Sequence, residues 1–379
     1  MRILWIPHVA WHVPQRAHLF CRALSQKHEI HVTDWVADFI NIQDFFSRRY
    51  IRNFVYRQYM DDSIRVHGIP RIAPALFSAS LRKFNATLFT RIVEEIIPRY
   101  KIDVVIGTFV CPPPNAPRLV FDLFDDNVDY WLNYRKFPAY AHEIASTEAA
   151  YLAKADAVVA ISSVLADRAE LGRVPPKTGN VHLIPNAVDL ERYRKADKHR
   201  VRTLFGYEDR KIIGMISAMG EFSGLLRLVE AFEALNDPAA VLLVVGDGPQ
   251  LQPAIRMAQE RGLQNIQFTG KVPFDEVQDY FMALDVGVIP FDKTDFTDAA
   301  CPIKLLEYSA AGKIVVSTAL EEVRRMNFPN IVLVEPTCQA LAAGLRHALA
   351  IQPTYPAKVE EYDLPRLVSR LEAVLENAI

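Results

Sequence analysis

The sequence predicts two α/β domains, each a doubly wound parallel sheet, and three observations carry that prediction. Short apolar runs alternate with longer helical patterns, the signature of strands joined by crossover helices. The alternation pauses once, over the polar stretch IPNAVDLERYRKADKHR (184–200), and then restarts. A chain of 379 residues also exceeds the size at which a single core stops growing.

In the first series the strands are RILWIP (2–7), EIHVTDW (29–35), SIRVHGI (63–69), DVVIGTF (103–109), RLVFDLF (118–124), AVVAIS (157–162) and NVHLIPN (180–186). QRAHLFCRALSQ (15–26) and LRKFNATLFTRIVEEIIPRY (81–100) have helical spacing between them. The second series has strands KIIGMIS (211–217), AVLLVVG (240–246), IQFTG (266–270), DVGVIPF (285–291), KIVVST (313–318) and IVLVE (331–335). Helices are predicted there over 224–236, 249–262, 274–284, 302–311 and 337–350. The Pro-Asn turn at 185–186 marks the boundary, giving domains 1–186 and 187–361, and 362–379 is one more helix after a proline-containing break.

Composition narrows the function. A net charge of −2 gives no general attraction to nucleic acid, and no block of like charges suggests a disordered tail. Cys21, Cys111, Cys301 and Cys338 lie far apart and read as reduced thiols of a cytosolic protein. No signal peptide or membrane-spanning run is evident, so the expected location is the cytoplasm or the inner face of a membrane. FFSRRYIRNFVYRQYM (45–60) mixes aromatics with arginines. That composition suits an interfacial helix on anionic lipid, an acceptor groove, or a packed segment with exposed arginines.

The chemistry centres on CPIKLLEYSAAGKIVVST (301–318). Pro302 suits the first helical position, so the helix start, from Ile303 onward, offers amides and dipole to an anion. Lys304 is a cation at the end where cations are disfavoured. Its order before Glu307 is the weaker one for a helical ion pair, so an external anion is the expected partner. Glu307 shares the face of Lys304 and suits a vicinal diol such as a ribose. Together these residues read as a nucleoside-diphosphate site, against the plainer alternative of an exposed Lys and Glu on an amphipathic helix.

This segment resembles the donor-binding region of GT-B nucleotide-sugar glycosyltransferases, particularly the large retaining group related to family 4. Four other stretches agree in order and spacing: 148–168, 180–193, 241–249 and 265–291. The likeness is close over 148–335 and loose over the first 147 residues. It implies two Rossmann-like domains facing a cleft, with the last helix crossing back onto the first domain. It also implies transfer of a sugar from a nucleoside-diphosphate donor to a hydroxyl of a carbohydrate or lipid-linked acceptor in glycan, polysaccharide or glycolipid synthesis, with retention of configuration. No metal or other cofactor is expected. On the donor side the resemblance implicates Lys304, Glu307, Ile303, Cys301, Ala300, Ser217 and Gly220, with Val272 near the base.

The chain departs from the family in two places. The first of the two glutamates usual around this helix falls on Ala299, leaving Asp298 or Asp295 as substitutes. The basic pair usual after the first strand of the second domain falls on Ala218 and Ser223, which places the phosphate charge on Lys304. A Pro-x-Lys-x-x-Glu-Tyr variant occurs in polysaccharide-synthesis relatives. Two other readings stay open: a GT-B nucleotide-sugar epimerase and a catalytically silent binding subunit.

The first domain supplies acids at RLVFDLFDDNVDYW (118–131), where Asp125 and Asp126 follow a strand directly. They are candidates to take a proton from an acceptor hydroxyl or hold the donor sugar, with turn formation and helix capping as the alternative. The first strand-to-helix loop, PHVAWHVPQR (7–16), offers His8, His12 and Arg16 as acceptor-side candidates. Two histidines without a third ligand do not make a metal site. Arg16 repeats the puzzle of a cation at a helix start.

Overall fold

The structure is a computed structural model that describes residues 1–8, 10–11, 15–34, 54–72, 78–108, 112–171 and 180–377. His12, Cys111 and residues 45–53 lie outside the described residues. The chain divides into two units, Met1–Pro185 with Leu364–Ile379, and Asn186–Asp363.

In the first unit the described strands are β1 (Arg2–Trp5), β2 (Glu29–Asp34), β3 (Arg57–Asp61), β4 (Ile64–Gly68), β5 (Val104–Gly107), β6 (Leu119–Leu123), β7 (Ala157–Ala160) and β8 (Val181–Leu183). They form one sheet in the order β3-β4-β2-β1-β5-β6-β7-β8. Every pairing is parallel except β3 with β4. The central strands are buried end to end, with helices such as Arg16–Leu24, Ala79–Arg99 and Pro138–Lys154 as crossovers. This is why β5, β6 and β7 read as continuous apolar runs rather than alternating ones.

Edge strand β3 was not foreseen. Residues 57–60 fall inside the segment read as a candidate interfacial helix, yet they are extended and join β4 through a tight turn with Asp62 at φ 52°. RQYM carries no apolar alternation, because an edge strand with Tyr59 and Met60 exposed has no buried face to encode.

The helix Leu364–Asn377 belongs to this unit. Leu367, Leu371 and Leu375 lie at helical spacing and are buried, and the helix packs on Arg16–Leu24. Glu372 receives Lys27 at 2.9 Å and His28 at 3.1 Å.

Between β2 and β4 the imidazoles of His31 and His67 are fully buried and share a hydrogen bond of 2.9 Å. Glu29 lies 3.0 Å from the far nitrogen of His31, and the Tyr56 hydroxyl 2.7 Å from the far nitrogen of His67. Burial, then His31, Arg65 and Arg99, push His67 down to about 3, and burial also lowers His31. A histidine depressed in the folded state favours folding fully above its unfolded pKa of about 6.5 and loses that contribution as pH falls toward the folded value. His67→Gln should therefore flatten the decline in Tm between pH 6.5 and 4, by at most about 1.4 kcal/mol per pH unit. Parallel Tm-against-pH curves for the two proteins would refute this.

The second unit contains β9 (Lys211–Ile216), β10 (Ala240–Val245), β11 (Ile266–Gly270), β12 (Val286–Ile289), β13 (Ile314–Thr318) and β14 (Ile331–Val334). These described strands are all parallel and ordered β11-β10-β9-β12-β13-β14. Strand order reverses between β9 and β12, the place where such sheets open a crevice at their carboxyl ends. The helices Leu225–Leu235 and Cys338–Ala348 pack on one another over Leu228, Val229, Phe232, Leu341 and Leu345 in the core of this unit.

Candidate functional site

At the switch point of the second unit, β12 pairs with β9 only at Val286↔Ile213 and Gly287↔Gly214, whereas its ladder with β13 continues to Ile289↔Ser317. The phenol of Tyr308 fills the resulting gap. Its hydroxyl accepts from Ile216 N at 3.0 Å and donates toward Gly214 O at 3.3 Å. A Cβ on Gly287 would sit 2.4 Å from the Tyr308 ring, so the glycine permits this close approach. Tyr308 thereby pins the helix Ile303–Ala310 to the crevice, a role its sequence position did not reveal.

That helix begins at Ile303, one residue later than predicted, with Pro302 as its N-cap at φ −68° and ψ 108°. It has no side-chain cap and no acid in its first turn. Leu305 N reaches Pro302 O, while among the described residues no protein acceptor meets the Ile303 and Lys304 amides. An anion at this end would meet two N–H groups and the helix dipole.

The expectation that Lys304 lacks a partner is corrected by the structure. Its Nζ lies 2.6 Å from Glu307 Oε2 and 5.4 Å over the Phe281 ring. The orientation rule describes exposed helices, but these side chains are only 25% and 11% exposed, so the pair is far less screened than on a helix surface. Tyr193 backs the pair. Its ring meets Phe281 edge-on at 5.9 Å, and burial first, then the nearby Glu307 carboxylate, raise its hydroxyl well above the ordinary range.

Ala299 is fully buried, and its methyl group supplies no carboxylate at that position. Asp298 is engaged within the protein, its Oδ1 receiving Lys293 Nζ at 2.6 Å and Glu321 N at 2.9 Å. Asp295 opens the short helix Asp295–Ala299, which Thr294 and Thr297 close with a capping box. Cys301 is buried, Ala300 half-buried, and the Cys301 carbonyl accepts from Asn186 Nδ2 at 2.8 Å.

The remaining donor candidates sit on loops at the carboxyl ends of neighbouring strands. Ser217 and Gly220 follow β9, and Ser217 Oγ donates to Ala218 O. Their loop is clamped by Met219 N to Asp247 O at 2.9 Å and Gln250 N to Met219 O at 3.1 Å. Gly246 and Gly248 have φ of 128° and 151°, and Cβ atoms there would fall 2.0 Å from Ser217 O and 2.6 Å from Met219 O. Close backbone approach explains this Gly-x-Gly without any phosphate. Val272 is half-buried just beyond β11.

In the first unit the candidates meet at the carboxyl end of the sheet. Asp122 on β6 is buried and accepts from Arg16 Nε at 3.2 Å, while Arg16 Nη1 donates to Pro185 O at 2.7 Å. Phe20 lies 4.6 Å from the guanidinium. These internal partners explain a cation at the helix start and remove the reason for reading Arg16 as a substrate ligand. His8 stacks on Phe124 at 3.8 Å, and burial lowers it to about 4, so its imidazole is neutral at pH 7.

The two adjacent acids differ. Asp126 caps the helix Asn127–Asp129 by accepting from Asp129 N at 3.0 Å and pairs with Arg168. Capping and charge pairing account for it, the alternative held open at the sequence level. Asp125 is pushed up to about 8, first by burial and then by Asp126 and Asp122. Glu148, whose Oε1 is buried, is likewise pushed up to about 8 by burial and Asp126. Glu148 and Arg168 were missed as candidates although they bound one of the motif stretches. Their contribution depends on tertiary placement around Asp126.

A family profile described as "Glycosyl transferases group 1" matches residues 210–350. A proposed colanic acid biosynthesis glycosyl transferase of Escherichia coli (strain K12) is 29% identical over 289 residues, covering 70% of each chain. A proposed teichuronic acid biosynthesis glycosyltransferase of Bacillus subtilis (strain 168) is 26% identical over 188 residues, 50% of this chain and 46% of the relative. Among solved structures, sucrose-phosphate synthase of Thermosynechococcus elongatus superposes with a TM-score of 0.76 at 15% identity, covering 100% of this chain and 98% of that one. Anabaena Alr3699/HepE in complex with UDP and glucose gives a TM-score of 0.70 at 16% identity, covering both chains fully. The chain has the GT-B fold and is a glycosyltransferase similar, over residues 210–350, to the group 1 glycosyl transferases.

Proposed function

We propose that the chain transfers a sugar to a hydroxyl of a growing cell-surface polysaccharide or its lipid-linked precursor, with the donor diphosphate on the start of the helix Ile303–Ala310. The observation that carries this reading is the pairing of Lys304 with Glu307 beside two amides that, among the described residues, no protein acceptor meets. The arriving pyrophosphate takes Lys304 and those amides, which releases Glu307 to accept from the ribose hydroxyls. Names of the relatives, colanic acid and teichuronic acid biosynthesis, support the acceptor class.

Asp125 is the proton acceptor in this reading. The acceptor oxygen bonds to the anomeric carbon, the bond from that carbon to the diphosphate oxygen breaks, and the hydroxyl proton passes to the Asp125 carboxylate. Charge builds on the leaving diphosphate, where fixed amides and Lys304 stabilise it more than in the bound donor. Incubation with radiolabelled UDP-, GDP-, ADP- and TDP-sugars and a lipid-linked oligosaccharide extract tests this. Label in the lipid fraction supports the reading, and donor hydrolysis at the same rate with or without extract contradicts it.

A further inference from the structure

Asn186 opens the second unit and lies 115 positions before Cys301, yet its side chain is buried against it. Its Nδ2 donates to the Cys301 carbonyl at 2.8 Å, while among the described residues the buried Oδ1 has no hydrogen-bond partner. A residue that leaves one buried amide oxygen unsatisfied gives up some stability for the contact made by the other end. Cys301 is followed by Pro302, which has no N–H and offers the helix no side-chain cap, so the Asn186 amide adds a long-range hold on the chain as it enters the helix.

The segment carrying Asn186 is itself held firmly. Val188 N donates to Tyr362 O at 3.0 Å, Leu190 N donates to Asp363 Oδ1 at 3.3 Å, and Asp189 caps the following helix at Glu191 N. Seven residues after Asn186, Tyr193 lies beside Glu307. One anchored segment therefore touches the chain just before the donor helix and the carboxylate in its first turns.

We propose that Asn186 is a positioning residue for the donor: by fixing the Cys301 carbonyl it aims the Ile303 and Lys304 amides at the diphosphate. The inference rests on the donor reading above. It assigns Asn186 a share of diphosphate affinity and none of the affinity for the nucleoside.

Calorimetric titration of the full chain and its Asn186→Ala and Asn186→Asp variants with UDP, GDP, ADP and TDP, and with the matching nucleosides, tests this. For whichever diphosphate the unaltered chain binds, each variant should bind about 2- to 12-fold more weakly, the effect of one lost hydrogen bond. Nucleoside affinity should be unchanged. Asn186→Asp preserves shape, so it remains informative if Asn186→Ala folds poorly. Equal loss for diphosphate and nucleoside, or no loss, overturns the role of Asn186 and leaves the donor reading intact. Failure of the unaltered chain to bind any of the four diphosphates overturns the donor reading and this inference together.

Discussion

Asp125→Asn is expected to lower kcat by about 10²- to 10⁴-fold, the range for removal of a general base, with little change in nucleotide affinity. The acid lies two residues past the end of β6, and burial together with Asp126 and Asp122 raises it to about 8. At pH 7 roughly a tenth of the molecules then carry the ionised, proton-accepting form. Activity should rise with pH through about 8, because the carboxylate is the active species and its population grows as pH climbs through the folded pKa. The asparagine variant should lose that rising limb. Stability has the opposite sign: a raised acid binds its proton more tightly when folded, so its influence favours folding less as pH increases from 4 to 8. Asp125→Asn should therefore not lower Tm at pH 8. A kcat within a few-fold of the original, or an unchanged pH profile, would remove Asp125 from the mechanism.

Lys304→Ala is the second large effect. Loss of a charge-assisted contact of about 1.5–3 kcal/mol corresponds to roughly 10- to 150-fold weaker binding of the nucleoside diphosphate. Stability responds differently. The substitution removes an unfavourable cation from a helix start, worth about 0.3–1 kcal/mol, but strands the largely buried Glu307 carboxylate. The second term is larger, so Tm should fall. Adding Glu307→Gln to the alanine variant should restore Tm without restoring nucleotide binding. Recovery of binding in the double variant would mean that Lys304 serves Glu307 and not the phosphates.

Much of the fold was legible because buried parallel strands and crossover helices write their periods directly into the chain. What the period does not encode was missed. Strand β3 has no buried face and left no alternation. Tyr308 stood in the motif, but its role depends on two strands parting beyond Gly214 and Gly287, which pattern alone does not show. For the donor helix, the unfavourable lysine was read as the sign of an external anion. Its partner was missed because the orientation rule comes from solvated helices and this pair is mostly buried. Arg16 offered the same signal and led elsewhere, since its counter-charge Asp122 lies 106 residues away on β6. The acids after β6 stood out in the sequence, while the capping and pairing of Asp126 needed the positions of Asp129 N and Arg168.

The most direct test of the donor site is a crystal structure with whichever nucleoside diphosphate binds most tightly. Phosphate oxygens within about 3 Å of the Ile303 and Lys304 amides, with Glu307 turned from Lys304 onto the ribose, are the predicted result. A nucleotide whose phosphates lie away from this helix start, with the Lys304–Glu307 pair intact, would contradict the account.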